Sequence, residues 1–263
     1  MSNDIVKYTE TGHVAVITLN DPGRGNVMDA ALAQELIAMC LQINQNSDIY
    51  FTVITGAGDK FCIGNELEYY AGTGKDLKAA AKKLKENPGY EVASALAMIE
   101  CPVIAAINGD ALGQGLEIAL ACDIRYAADN AHFGFPNTSA GLMPMDGGTQ
   151  RLPRLVGKGK ALELLLGGGV IDSREAMNIG LISQVFPASE LLKNTMAFAA
   201  GMAEKAPIAM RYVKEAVNKG TDLTLDQGVR LEADLYFLIH TTEDRTEGIK
   251  AFQEKRKAQF KGK

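Results

Sequence analysis

The chain has 263 residues, of which 47% are hydrophobic, and it carries a formal charge of −5. This length and composition predict a globular protein with a substantial core, and the acidic balance argues against nucleic acid as a main partner. No apolar run is long enough to span a bilayer and no N-terminal signal peptide is recognisable, so we expect no membrane partner and a cytoplasmic location.

The cysteine and histidine residues are scattered along the chain. The four cysteines include no CxxC pair, and the three histidines lie far apart in the sequence. This distribution is typical of a protein in a reducing compartment and excludes a recognisable zinc site. We therefore expect no bound metal.

The N-terminal part alternates predicted strands and helices in the manner of an α/β protein. Apolar patterns predict strands at 5–8, 13–19 and 51–55, and a helix follows Asp29, which is a candidate N-cap. A glycine-containing turn at 60–67 is either a plain loop or the start of a short helix with free amides. The lysines of segment 73–89 form either a solvated helix face or a contact to a phosphorylated ligand.

The central stretch suggests a site with an amide donor and a carboxylate. The apolar run 103–107 predicts a buried strand, a turn rich in glycine follows, and a short helix begins near Gln114. The first amides of a helix lack partners and, with the helix dipole, suit an anion or a developing oxyanion. Glu117 lies on the same helix face as Gln114, as a site that forms and protonates an enolate requires. The alternative is that this strand, turn and helix have only a packing role and that the Glu117 side chain is solvated.

The remaining elements divide the chain near residue 190. A helix is predicted at 90–100, short strands at 123–127 and 131–135, and a loop at 136–151 that runs into a helix. Asp172 and Gly180 fit the start and the end of a further helix. Beyond this point the pattern predicts helices at 190–203, 207–219, 224–240 and 243–257. We expect an α/β body of residues 1–190 and a helical part of residues 191–263.

Two common enzyme motifs are incomplete in this sequence. Residues 113–118 begin like a dinucleotide-binding fingerprint but lack its third glycine. Ser139 does not lie in a nucleophile elbow, and His132 and His240 have no readable partner for a hydrolase triad. Neither a dinucleotide cofactor nor a serine hydrolase is therefore expected.

Motifs along nearly the whole chain resemble the crotonase (enoyl-CoA hydratase/isomerase) superfamily. They are FCIGNE at 61–66, NGDALGQGLE at 108–117, FGFP at 133–136, GGTQRL at 147–152 and EGIKAF at 247–252. The resemblance implies a spiral of ββα repeats, a C-terminal helical trimerisation domain and an acyl-CoA thioester substrate. No separate cofactor is implied, because coenzyme A is part of the substrate. The amides of Asn65 and Gln114 would form the oxyanion hole, and Glu117 matches a glutamate that hydratases use to handle water.

Three positions depart from the pattern of the family. Asn137 stands where hydratases carry a second glutamate, and Gln114 replaces a glycine, which suits an amide donor if its φ is negative. Asp146 lies in a turn where some isomerases place a catalytic aspartate one residue earlier. It is either a relocated acid or the N-cap of the next helix. We predict Glu117, Asn137 and Asp146 as the catalytic residues.

The predicted reaction is the addition of water to an enoyl-CoA or a conjugated or cyclic dienoyl-CoA through an enolate. The alternatives are a double-bond isomerase, a decarboxylase or hydrolase of the same fold, and a non-enzymatic acyl-CoA-binding paralogue. The assembly expected from the resemblance is a homotrimer or homohexamer. The predicted substrate-binding residues are Arg24, Ile63, Gly64, Glu66, Gly113 and Met145, and Tyr69, Tyr70 and the lysine-rich segment are expected to shape the acyl pocket.

Overall fold

A computed structural model describes residues 5–65, 82 and 91–263 of the chain. The strands of this part, β1 to β10 in chain order, are Val6–Thr11, Val14–Leu19, Phe51–Gly56, Lys60–Cys62, Val103–Ile107, Asp110–Leu112, Ile124–Ala128, His132–Gly134, Val170–Asp172 and Gln184–Phe186. The α-helices, α1 to α10, are Ala30–Gln45, Val92–Ala97, Gln114–Ala121, Gly148–Val156, Lys158–Gly167, Ser173–Asn178, Ala188–Ala203, Pro207–Gly220, Leu225–Ile239 and Glu243–Glu254. The described residues also contain two short 3₁₀ helices, Pro22–Arg24 and Pro136–Ala140.

The strands form two sheets. The larger sheet has the order β1-β2-β3-β5-β7-β10 and is parallel except for the β1–β2 pair. The smaller sheet has the order β4-β6-β8-β9 and is antiparallel only between β8 and β9. Consecutive strands therefore alternate between the sheets: β3, β5 and β7 enter the larger one, and β4, β6 and β8 the smaller one. This repetition is the predicted ββα spiral.

Most predicted elements are present, and the exceptions are short. Asp29 caps α1 through a hydrogen bond from the Leu32 amide, 2.9 Å long, as its position suggests. The segment between β5 and α3, predicted as a turn, contains β6 at Asp110–Leu112, which pairs in parallel with β4 and β8. A strand of three residues is too short for periodicity to reveal. Strands β9 and β10 are equally short and were not predicted.

The larger sheet is buried on both faces. One face packs against α1 and the elements that lead to the site, and the other is covered by α7. The Phe198 ring of α7 meets Phe51 and Tyr126 edge-on, with centroids 6.1 and 5.5 Å apart. The sheet therefore gives the loops at its strand ends a rigid base.

The helices after residue 187 match the four predicted helices within a few residues. Several large apolar side chains of these helices are more than half exposed: Val213, Val217, Leu225, Val229, Tyr236, Phe237 and Phe252. Within the described residues, none of the helices has the length and hydropathy needed to cross a membrane. The division of the chain at residue 190 into two domains stays a prediction.

Candidate active site

The two glycine-containing turns meet at the start of α3. The turn after β4 is held by a 2.8 Å hydrogen bond from the Met28 amide to the Gly64 carbonyl. Gly64 and Gly113 both have positive φ, 107° and 51°, and a Cβ atom at Gly64 would lie 3.8 Å from the Gln114 nitrogen. The amides of Asn65 and Gln114 therefore belong to adjacent turns, as an oxyanion hole requires.

Gln114 is the first residue of α3, so its backbone amide lies at the N-terminal end of the helix, where amides have no partner inside the helix itself. Its φ is negative, since among the described residues only Asn26 and Lys255 combine a side chain with a positive φ. The replacement of glycine by glutamine thus leaves an ordinary helical backbone at this position. A negative φ at Gln114 is what the role of its backbone amide as a donor requires.

Glu117 is buried one turn further along α3, with 2% of its surface exposed. Its Oε1 accepts hydrogen bonds from the Asp146 amide at 2.8 Å and the Gly148 amide at 2.7 Å. A Cβ atom at Gly148 would lie 3.0 Å from Oε1, so a larger residue there would crowd the carboxylate. The alternative of a solvated Glu117 is therefore wrong.

Burial raises the pKa of Glu117 to about 7. The two amide hydrogen bonds and Arg151 act in the opposite direction, and the nearby Asp146 carboxylate raises the pKa further. A carboxyl group with this pKa exchanges a proton readily near neutral pH. Because both amide donors hold Oε1, the other oxygen, Oε2, is the natural place for that proton.

Asp146 is also buried, with 3% of its surface exposed, but it does not cap the helix that follows it. The N-cap of α4 is Gly147, which has no side chain that could accept from the first helix amides. The Asp146 Oδ2 instead accepts from the Ala93 amide of α2 at 2.7 Å and from the Gln114 Nε2 at 3.2 Å. The N-cap interpretation is thus wrong, because the side chain points towards α2 rather than α4.

Burial raises the pKa of Asp146 to about 6, against the opposing hydrogen bonds from Ala93 and Gln114 and the charge of Arg151. The second oxygen, Oδ1, is buried and has no hydrogen-bond partner within the described part of the chain. The site therefore holds two buried carboxyl groups whose pKa values are both shifted towards neutrality. Such a pair is typical of catalytic acids and bases.

Asn137 approaches the same turn from the 3₁₀ helix Pro136–Ala140. A Cβ atom at Gly113 would lie 3.5 Å from the Asn137 Oδ1, which places the amide beside the oxyanion turn. That oxygen is buried and lacks a hydrogen-bond partner among the described residues. The side chain can therefore accept a hydrogen bond from a ligand or water but cannot carry a proton.

Among the other predicted binding residues, the structure describes Arg24, Ile63 and Met145. Arg24 forms ion pairs with Asp21 at 2.7 Å and with Asp29, and these pairs raise its pKa. Ile63 donates its amide to the Gly25 carbonyl at 3.2 Å, and Met145 is half exposed beside Asp146. Glu66, Tyr69 and Tyr70 lie outside the described residues, as does the lysine-rich segment except for the exposed Lys82. The binding roles of all these residues stay predictions.

Three groups that shape the site had not been predicted from the sequence. They are the Ala93 amide, the Gln114 side chain and Arg151, which donates to the Asp146 carbonyl at 2.7 Å. The contact of a backbone amide at the start of α2 cannot be recognised from a pattern of residue types. The glutamine was visible as a departure from glycine, but its partners were not.

Fold and site together define an enzyme of the crotonase superfamily. The sequence pattern of the family described as enoyl-CoA hydratase/isomerase matches residues 9–263. The chain is 39% identical to a crotonyl-CoA hydratase of Syntrophomonas wolfei over 248 residues, 94% of each chain. It is 38% identical to the 2,3-dehydroadipyl-CoA hydratase of Escherichia coli, covering 95% of this chain and 96% of that protein.

The solved structures give the same assignment. An enoyl-CoA hydratase from Bacillus anthracis superposes with a TM-score of 0.92 at 38% identity, covering 98% of this chain and 99% of that one. The protein belongs to the enoyl-CoA hydratase/isomerase family and is a hydratase-like enzyme.

Proposed function

We propose that the enzyme adds water to the carbon–carbon double bond of an α,β-unsaturated acyl-CoA. The observation that carries this proposal is the buried Glu117, whose pKa is raised to about 7 and whose Oε1 is fixed by two amides. The relatives named as hydratases of crotonyl-CoA and 2,3-dehydroadipyl-CoA support a reaction of this class.

In the proposed mechanism the thioester carbonyl accepts hydrogen bonds from the amides of Asn65 and Gln114. The ionised Glu117 takes a proton from water as the hydroxyl group bonds to the β-carbon, and the double-bond electrons move to form an enolate. The two fixed donors stabilise its negative oxygen, each by on the order of a few kcal/mol in the barrier. The enolate then takes a proton at the α-carbon, from Glu117 or from a second acid, and the thioester carbonyl is restored.

The finer proposal is that the substrate is a conjugated or cyclic dienoyl-CoA. Asn137 replaces a second acid and holds no proton, so it is suited to orient a water molecule or a hydroxyl group. In a dienoyl-CoA the extended conjugation allows protonation away from the carbon that faces Asn137. The missing second glutamate is then no obstacle to hydration.

Double-bond isomerisation is the second candidate function. It is favoured by Asp146, a buried carboxyl group whose pKa is raised to about 6 and whose Oδ1 has no partner among the described residues. One carboxylate would remove a proton from the γ-carbon, and the other acid would return one to the α-carbon, or the reverse. Water would not be consumed in this reaction.

The two reactions are separated by isotope incorporation. The purified enzyme is incubated with crotonyl-CoA and with linear and cyclic dienoyl-CoA thioesters in water enriched in ¹⁸O, and products are followed by mass spectrometry. We expect a product heavier by one labelled water, formed fastest with a dienoyl-CoA. A new product of unchanged mass, separated from the substrate by chromatography, would establish isomerisation instead, and no turnover of any thioester would refute both proposals.

Neither reaction requires a group besides the substrate, so we propose that coenzyme A enters only as part of the substrate. A cytoplasmic location is proposed with it. The four cysteines are buried and free, as in proteins of reducing compartments.

We also propose that the protein is a homotrimer or a dimer of trimers. The support is the set of exposed apolar side chains on the helices after residue 187, including Leu225 and Phe252, each 85% exposed. Large apolar side chains left exposed on a helical segment are often buried at interfaces between subunits. Sedimentation at micromolar concentration is expected to give three or six times the mass of 28.2 kDa, and a stable monomer would contradict it.

A further inference from the structure

The Gln114 side chain occupies a position that the proposed chemistry does not use. The oxyanion role belongs to the backbone amide, which any residue other than proline supplies. Yet the side chain of Gln114 is almost entirely buried, with 1% of the residue exposed at the centre of the site. Burying a primary amide is costly unless its oxygen and nitrogen find partners, so its contacts indicate what it does.

Those contacts join three parts of the site. The Gln114 Oε1 accepts a hydrogen bond from the Asn65 Nδ2, and the Gln114 Nε2 donates to the Asp146 Oδ2 at 3.2 Å. Asn65 and Gln114 are the two residues whose amides form the proposed oxyanion hole. One side chain therefore links both of its donor residues to a buried carboxylate.

The same contacts distinguish the two oxygens of Asp146. Both the Ala93 amide and the Gln114 side chain donate to Oδ2, which is thereby held as an acceptor. The Oδ1 atom is buried without a partner in the described part of the chain. When Asp146 binds a proton, the proton consequently belongs on Oδ1, because Oδ2 already faces two N–H groups.

We propose that the Gln114 side chain is a positioning residue that fixes Asp146 with Oδ1 as its proton-exchanging oxygen and ties that acid to the Asn65 turn. The proposal rests on the acyl-CoA chemistry proposed above. It explains why a side chain is useful at a position where the backbone amide alone suffices for the oxyanion. It also gives Asp146 a defined orientation relative to the thioester.

The groups around Asp146 that affect its ionisation must be the same in the wild type and in the test variant. They are Glu117 of α3, which opposes ionisation, and Arg151 of α4, which favours it, while α2 contributes the Ala93 and Ser94 amides. The variant Gln114→Met removes the donor and the acceptor, preserves the length of the side chain and leaves these groups in place. Its backbone amide remains available to the substrate.

The first measurement is a carboxyl ¹³C NMR titration of protein labelled at aspartate, with Asp146→Asn to identify the signal. In Gln114→Met we expect the Asp146 midpoint to rise by about one pH unit, as for one lost hydrogen bond to a charged oxygen. The control variant Gln150→Met makes the same chemical change at an exposed position of α4 and is expected to leave the midpoint in place. An unmoved midpoint in Gln114→Met would overturn the proposal.

The second measurement is a double-mutant cycle in kcat and KM. Gln114→Met is expected to lower kcat about tenfold with KM within threefold of the wild type, and to cost less than threefold when Asp146 is already Asn. Independent, multiplying effects would show that Gln114 does not act through Asp146. If the wild type turns over no acyl-CoA, the proposed function fails, while the NMR titration still decides the role of Gln114. Should Gln114→Met fail to fold, Gln114→Ala takes its place in both measurements.

Discussion

Replacing Glu117 with glutamine is expected to lower kcat by about a hundredfold or more while acyl-CoA binding stays within a few fold of the wild type. The amide oxygen of glutamine can still accept from the Asp146 and Gly148 amides, so the local geometry is preserved. The backbone amides of Asn65 and Gln114 are untouched, so the thioester still binds. Only the exchangeable proton is lost. Steady-state kinetics and binding of a non-reactive acyl-CoA measure the two effects separately.

The pH dependence of stability provides an independent control on the same variant. The pKa of Glu117 is about 7 in the folded protein, against an ordinary value of 4.5. As pH rises through this window the unfolded chain releases its proton while the folded protein retains it, so the wild type loses stability. Above pH 7 the free energy of unfolding of Glu117→Gln is therefore expected to exceed that of the wild type, by about 3 kcal/mol at most. The difference should vanish near pH 4.5.

The hydration rate is expected to depend on pH in the opposite direction from the stability of the wild type. Glu117 must be ionised to take a proton from water, so the wild-type hydration rate is expected to rise as pH passes about 7. The variant Glu163→Gln, at an exposed residue of α5, serves as the matched surface control. Full activity in Glu117→Gln would refute the proposed mechanism.

The parts of the site that could be predicted from the sequence are those set by local structure. A buried strand followed by glycines and a helix start fixes where the Gln114 amide lies, and a spacing of three residues puts Glu117 on the same helix face. The motif around Asn65 identified the second turn because its residues are contiguous. Asp29 and Asp172 were predicted as N-caps and act as such, since capping depends on the next few residues alone.

The parts that could not be predicted depend on contacts between distant segments. Asp146 was given a local partner, the helix after it, but its Oδ2 binds an amide 53 residues away in sequence. The Gln114 side chain bridges residues 49 and 32 positions away. Periodicity and capping rules carry no information on such distances. The pKa of Glu117 likewise depends on burial by the whole fold, and its environment could only be guessed from the apolar residues around it.

Substitutions of Asp146 discriminate most sharply, because its two possible roles predict different effects of alanine and asparagine on kcat and on stability. As a structural acceptor for the Ala93 amide it is replaced by asparagine without loss, whereas Asp146→Ala would cost about 1 kcal/mol of stability and leave kcat nearly unchanged. As a proton-carrying acid it cannot be replaced by asparagine, and we expect Asp146→Asn to lower kcat about a hundredfold. Since its pKa is raised from 3.8 to about 6, removing the buried charge should leave the melting temperature above pH 6 equal or higher. Calorimetry and kinetics on both variants, with the exposed Asp226→Asn as control, separate the roles. Wild-type kcat in Asp146→Asn would leave Glu117 as the sole acid and would exclude the isomerase candidate.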